Sequence, residues 1–333
     1  MDNRYSRQLL YSNIGERGQA LLGEKTAVIV GLGALGSLSS EMLARAGVGK
    51  LILIDRDYVE LTNLQRQTLY NEEDAELKKP KAVAAYDKLS KINSSIDIEV
   101  HVAHCDAGLI ESVAKNADLL LDGTDNFDTR MLINDAAFKY NIPWIYAACV
   151  EGSYSSAAFI PGETPCFRCL TPVLPTTTLT CDTAGIISPA VHMAVSNQVT
   201  TALKILTEQF SGPYHMHIGN VWDMDYMKFD IGNMTESTCP TCQTKEYPEI
   251  NRTASNAMKF CGRDMIQVID ERLTESVVTK TLEQADITYK TTPYFIEFNY
   301  GSTRIVSFSN GRMLMHNVVN LNKARTIVNQ LFG

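Results

Sequence analysis

At 333 residues the chain is long enough for a full α/β domain with a smaller companion. A formal net charge of −8 argues against general nucleic-acid binding and against docking on an anionic membrane; 45% hydrophobic and 20% charged residues is the balance of a soluble globular protein. No apolar run approaches the roughly eighteen residues of a membrane helix, and no secretory leader is visible, so the eight cysteines point to a reducing, cytoplasmic setting and to metal or thiol chemistry.

Residues 2–22 suit one or two helices, with Arg4, Arg7 and Arg17 among them. Ala27 to Val30 is the apolar run of a buried parallel strand. Gly31-x-Gly33-x-x-Gly36 follows directly, then a helical pattern from Leu38 to Arg45 and a second apolar run, Leu51 to Ile54, ending in Asp55. This is a βαβ unit carrying the dinucleotide fingerprint in its expected context. The glycines permit a tight turn and let backbone N–H groups approach a phosphate at a helix N-terminus. Asp55, nineteen residues past Gly36, is placed to accept hydrogen bonds from a ribose.

A dehydrogenase would go on from Asp55 into another helix. Here the chain continues from Asp57 to Gln67 as DYVELTNLQRQ, polar and charged beside the nucleotide. The glycine fingerprint and Asn63-x-x-Arg66, two motifs at a fixed separation, resemble the family of ubiquitin-activating-type adenylating enzymes, whose bacterial members include MoeB and ThiF. The resemblance implies that Asp55 holds the ribose and that Asn63 and Arg66 reach the triphosphate; the plainer reading of Arg66 is a solvated loop arginine. Arg4-Tyr5-Ser6-Arg7-Gln8 matches the same family's N-terminal signature, which implies that Arg7 crosses a homodimer interface to the partner's ATP. From the residues alone, Arg7 is one basic side chain on a helix.

Asn71 to Asp74 reads as an acidic, exposed stretch, and Pro80 suits the first turn of a helix over Ala82 to Ile92. The family carries Gly-x-Pro-Lys here with its lysine on the phosphates, a place that Lys81 fits, while Lys78 stands where glycine is usual. Three lysines also suit a solvated helix start. Asp97 to Val102 alternates as a strand and Leu109 to Lys115 as a short helix. Ala117 to Leu121 is an apolar strand ending in carboxylates, and Asp122 and Asp125 then lie beyond a strand's carboxyl end, where a carboxylate can hold Mg²⁺ on phosphate oxygens. The family's Asp-x-x-Asp-Asn implies that Asp125 is the metal and catalytic residue; the plainer reading of these acids is an N-cap before the helix Thr129 to Tyr140, a place that suits Asp128 rather than Asp125. In all, the resemblance puts the nucleotide against Gly31, Gly33, Ala34, Gly36, Asp55, Asp57, Asn63, Gln65, Arg66, Lys81, Asp125 and Asn126.

Cys166-x-x-Cys169 and Cys239-x-x-Cys242 are two pairs with 69 residues between them. Each pair can take two corners of a tetrahedron, and four thiolates leave no open position, so the spacing predicts a structural Zn²⁺ staple, with redox CxxC pairs as the competitor. Thr171 to Thr180 has the composition of a loop and leads to Cys181, a candidate thiol that matches the family's Cys-x-x-Ala-Gly. Pro189 to Glu208 reads as a core helix, with His192 a core or interface histidine; Cys105, Cys149 and Cys261 read as buried thiols.

A boundary near residues 251–256 separates an ATP-binding domain, 1–250, from a small α+β domain, 251–333. In the latter, Tyr294 to Phe298, Arg304 to Phe308 and Arg312 to Met315 read as strands, with turns at Tyr300-Gly301 and Asn310-Gly311 and a helix from Leu321 to Leu331. The fold expected is α/β: a Rossmann-like, doubly wound, mostly parallel sheet with a zinc-stapled second half. The resemblance implies Mg-ATP-dependent adenylation of the C-terminal glycine of a small ubiquitin-like sulfur carrier, with release of pyrophosphate. Leu64-Gln65-Arg66-Gln67-Thr68-Leu69 leans to a MoaD-like carrier for molybdopterin; a ThiS-type carrier for the thiamine thiazole is the alternative, and an NAD-dependent oxidoreductase the rival class.

Overall fold

The computed structural model describes residues 3–171, 184–252, 257–259, 265–270, 272–309, 311–318 and 320–333. Cys181, Cys261 and Asn310 lie outside these residues. The chain divides into two compact units, Met1–Arg252 and Thr253–Gly333.

The first unit opens with short helices α1 (Ser6–Leu9) and α2 (Gly15–Glu24). Then β1 (Thr26–Val30), α3 (Ala34–Ala46) and β2 (Lys50–Ile54) form the first crossover. After α4 (Glu72–Glu76) and α5 (Lys81–Ile92) come β3 (Asp97–His101), α6 (Ala107–Ala114), β4 (Leu119–Asp122), α7 (Phe127–Tyr140) and β5 (Trp144–Val150). The unit ends with β6 (Ser153–Phe159), α8 (Phe167–Leu170), α9 (Ser188–Leu206), β7 (His215–Asn220) and β8 (Asp225–Asp230). The sheet order is β3-β2-β1-β4-β5-β6-β7-β8. Strands β3 to β5 run parallel and β6 to β8 extend them antiparallel.

Alternation along the strands sorts the core into two layers. Ala27, Ile29, Leu51 and Leu53 face α3, α5 and α9, while Val28, Val30, Ile52 and Ile54 face α6 and α7. Both faces of the central strands are covered, which is why they read as unbroken apolar runs. The chain turns from one flank of β1 to the other between β3 and β4, so a crevice opens between the carboxyl ends of β1 and β4.

Three local readings need correction. Asp74 is buried, not exposed: it lies in α4, shares a reciprocal cap with Asn71 and pairs with Lys88 at 3.1 Å. Pro80 precedes α5 as its cap residue. His192 is exposed on α9, which removes the core reading and leaves the interface one; its Nδ1 lies 3.0 Å from the Ser188 carbonyl, and the buried stripe of that helix falls on Val191, Ala194, Val195 and Gln198. Cys105 and Cys149 are buried, and burial pushes the Cys105 thiol up to about 12.

The second unit holds β9 (Ala257–Lys259), β10 (Met265–Ile269), α10 (Glu275–Gln284), β11 (Tyr289–Thr291), β12 (Phe295–Tyr300), β13 (Thr303–Phe308), β14 (Arg312–His316) and α11 (Leu321–Phe332). It is a six-stranded antiparallel sheet, β11-β12-β13-β14-β10-β9, where the sequence showed three strands. Val278 and Leu282 of α10 and Ala324, Ile327 and Val328 of α11 pack on Ile266, Ile296, Phe298, Met313 and Met315. No helix among the described residues is long and apolar enough to cross a membrane.

Candidate active site

The three fingerprint glycines do different work. Gly31 has φ +85°, and a Cβ there would lie 2.8 Å from the Gly123 carbonyl carbon and oxygen, so Gly31 lets the β1 and β4 ends close on each other. A Cβ on Gly36 would fall 1.8 Å from the Gly31 carbonyl oxygen, so only glycine allows α3 to start that close to the turn. At Gly33, the residue before α3, a Cβ would meet only Gln67 Nε2, at 3.9 Å. The space over the α3 N-terminus is therefore open, and the unspent N–H groups of its first turn face it.

Asp55 closes one side of this space. Its Oδ2 accepts the Leu32 N–H at 2.6 Å and its Oδ1 the Asp57 N–H at 2.6 Å. Burial holds its carboxyl above the usual carboxylate range, with Asp57 adding to the rise and the Lys81 ammonium opposing it. A carboxylate offers about four acceptor positions, so the two hydrogen bonds orient Asp55 and leave capacity for ribose hydroxyls. Lys81, buried at the start of α5, is fixed by its own N–H to the Asp57 carbonyl at 2.8 Å. Tyr70 donates to the Leu32 carbonyl at 2.8 Å, tying the segment after Arg66 to the glycine turn.

Beyond β4 the two aspartates separate. Asp122 is wholly buried: Oδ2 takes Arg130 Nε at 2.8 Å, and Oδ1 takes the Thr124 N–H at 2.8 Å and its hydroxyl at 2.6 Å. Asp125 is exposed and makes no hydrogen bond or ion pair with a described residue. The cap of α7 is Asn126, whose Oδ1 accepts the Thr129 N–H at 2.8 Å, and not Asp128. Asn63 Oδ1 accepts the Glu60 N–H at 3.0 Å and so shapes the turn that carries Arg66. Arg66 Nη1 rests on the Thr62 carbonyl at 3.1 Å, and Gln65 Nε2 on the Ile186 carbonyl at 3.4 Å. Gly31, Gly33, Ala34, Gly36, Asp55, Asp57, Lys81, Asp125 and Asn126 thus gather at the carboxyl ends of β1, β2 and β4. Arg7 is exposed on α1, and none of its contacts ties it to this edge.

The four cysteines of the two pairs converge. Their sulfurs all lie within 4.8 Å of one another, with Cys166–Cys169 at 3.8 Å, Cys166–Cys239 at 3.4 Å and Cys169–Cys242 at 3.5 Å. Four sulfurs at about 2.3 Å from one Zn²⁺ would stand about 3.8 Å apart, so the donor set fits a closed tetrahedral site. The Cys166 thiol hydrogen bond holds Cys169 down to about 5, and the Glu236 N–H reaches the Cys169 sulfur at 3.4 Å. Buried Asp135 of α7 braces both halves: it accepts the Thr241 hydroxyl at 2.5 Å and the Glu249 N–H at 2.7 Å, and stands 3.5 Å from Arg168.

A model of the ThiF family matches residues 5–244. The protein is also 40% identical, over 338 residues and the whole of both chains, to the sulfur carrier protein ThiS adenylyltransferase of Bacillus subtilis. The chain belongs to the ThiF family. It is an adenylyltransferase, which removes the NAD-dependent oxidoreductase alternative. The ThiF-family chain is 38% identical to the molybdopterin-synthase adenylyltransferase of Escherichia coli over 205 residues, 61% of this chain and 81% of that one. Among solved structures, Escherichia coli MccB with ATP matches with a TM-score of 0.62 and 25% identity, over 73% of this chain and 75% of that one.

One feature of this ThiF-family member was not legible in its motifs, and another gives the motif's departure a backbone conformation. Arg130 is half-buried against Asp122, also donates to the Thr124 carbonyl at 2.8 Å, and sits 5.1 Å from the Tyr146 ring centroid. Its charge, eight residues from Asp122, fixes the strand end that presents Asp125; a strand-to-helix ion pair has no periodic signal. Lys78, in the place of the family's glycine, has φ +46°, the left-handed region that favours glycine.

Proposed function

We propose that the enzyme uses Mg-ATP to adenylate the C-terminal glycine of a ThiS-type ubiquitin-like sulfur carrier for thiamine thiazole synthesis. The observation that carries this reading is the 40% identity to the Bacillus subtilis enzyme across the full length of both chains, Thr253–Gly333 included. The molybdopterin relative aligns over 61% of this chain, and the Escherichia coli ThiS adenylyltransferase aligns equally over 61% at 37% identity. The full-length match to a ThiS adenylyltransferase therefore outweighs the lean toward a MoaD-like carrier read from Leu64 to Leu69.

The chemistry is attack of a carboxylate oxygen on the α-phosphorus, with the bond to the pyrophosphate oxygen breaking. Negative charge builds on the leaving group, so positioning and charge neutralisation carry the catalysis. Asp55 fixes the ribose, and the α3 N-terminus receives a phosphate. Arg66 and Lys81 hold the outer phosphates, with Arg7 supplied by a second subunit of a homodimer. Mg²⁺, held by Asp125, would neutralise phosphate oxygens. Zn²⁺ on Cys166, Cys169, Cys239 and Cys242 has a structural role. Cys181 is the candidate thiol for any later sulfur step.

ATP–pyrophosphate exchange with purified ThiS-type and MoaD-type carriers tests the reading. Exchange stimulated at least about tenfold more by the ThiS-type carrier is expected, the size of a 1.4 kcal/mol preference. Equal or reversed stimulation would refute the choice of carrier, and no exchange with either would refute the reaction.

A further inference from the structure

One side chain in the cradle over Gly33 carries an amide that no described residue hydrogen-bonds. Gln67 is 3% exposed. Its backbone serves the turn: its N–H donates to the Asn63 carbonyl at 2.9 Å, and its carbonyl accepts the Tyr70 N–H at 3.2 Å. Its side-chain amide makes no hydrogen bond to a described residue, and Oε1 is shielded from solvent. Nε2 leans over the α3 N-terminus, 3.9 Å from where a Cβ of Gly33 would sit. Nε2 is thus a donor that the fold leaves uncommitted beside Gly33, while Oε1 is the shielded, unbonded acceptor.

We infer that Gln67 is a nucleotide-binding residue whose Nε2 donates to an oxygen of the α-phosphate. This rests on the reading of the site as an adenylation centre. The choice of phosphate follows from position. Asp55 marks the ribose and grips the Leu32 N–H at 2.6 Å, one residue before Gly33. The phosphate over Gly33 is then the one joined directly to the ribose. Phosphate oxygens only accept hydrogen bonds, and Nε2, a donor, is the amide atom turned toward them. A neutral donor here steadies the phosphorus under attack without adding a charge that would retain pyrophosphate. Arg66, the neighbouring residue, and Lys81 carry the charges for the leaving group.

The test compares Gln67→Met, which keeps the volume and removes the donor, with Gln67→Glu, which turns an acceptor toward phosphate. In the full-length protein without nucleotide, the Tm of Gln67→Met should stay at or above that of the wild type, because an unbonded buried amide is gone. Its Tm rise with Mg-ATP should shrink, and carrier-dependent exchange should fall about ten- to a hundredfold, the worth of a hydrogen bond to a charged group. Gln67→Glu should lose more than Gln67→Met. A Gln67→Met chain that melts several degrees lower yet keeps the full Mg-ATP shift would give Gln67 a packing role and overturn the inference, as would unchanged exchange. If the wild type shows an Mg-ATP shift that Gln67→Met loses, but exchanges with neither carrier, the role of Gln67 stands and the adenylation reading falls.

Discussion

Asp122 and Asp125 stand three positions apart at one strand end, and their surroundings divide the work between them. Asp122 is sealed in against Arg130, whose side chain is 13% exposed, so Asp122→Ala leaves a largely covered guanidinium without its counter-charge and should cost about 3 kcal/mol of stability. Asp125 is exposed, so Asp125→Ala should move Tm little while lowering exchange about a hundredfold or more and leaving carrier binding in place. Differential scanning calorimetry and a carrier-binding titration separate the two; loss of carrier binding in Asp125→Ala would make that residue structural. Lys78 offers a prediction of the opposite sign. A lysine at φ +46° carries a left-handed penalty of about 1–2 kcal/mol, partly offset in Lys78→Gly by the greater chain entropy that glycine loses. A net gain of about 0.5–1 kcal/mol is expected by urea melts, with exchange unchanged.

Among the elements, the cysteine clip joins α8 to the turn after β8, and its sulfurs already hold near-tetrahedral spacing. One metal ion per chain is the expected elemental analysis. Cys169→Ser should lower Tm and solubility before it alters the exchange rate of the molecules that remain folded. A folded, metal-free and inactive variant would instead argue for a catalytic metal. The elements the sequence showed well are those whose physics is local. The strands Ala27 to Val30 and Leu51 to Ile54 are apolar throughout because both faces are covered, and the glycine spacing encodes one turn. What escaped was non-local or too short to show a period. Strands β9 and β11 have three residues each, and β10 is interrupted by Gln267, a polar residue that is nonetheless buried. Strand β10 gains its place by pairing with β14, far along the chain. At the candidate site, the placement of the glycines, Asp55 and Lys81 at the strand ends was readable from motif and position. The Arg130–Asp122 pair and the unbonded Gln67 amide were not, because each is defined by what packs around it.

At the scale of the whole molecule, Arg7 is the candidate site residue that the fold of one chain leaves over. It is exposed on α1 with no contact to the phosphate edge. If it serves a partner's ATP, Arg7→Ala and Asp125→Ala chains should each be nearly inactive alone. In the heterodimer one site lacks both residues and the other lacks neither, so mixing should restore up to one intact site per dimer. No recovery after subunit exchange, verified by mass spectrometry, would place Arg7 in its own subunit's site or in folding.

The clip also closes the segment from Cys166 to Cys242 into a ring, because the cysteine pairs lie on either side of α9, β7 and β8. A ring can be opened once and still be one piece. The β7–β8 turn is an accessible place to open it, with Trp222 81% exposed at its tip. Expressed as two fragments that part company there, the protein should reassemble with the metal as a rivet between them. Adding a chelator should then release the halves on a sizing column, while the uncut chain runs at an unchanged position. The staple inferred from cysteine spacing would thereby serve as a detachable joint, one that allows the enzyme to be assembled on demand by a metal ion.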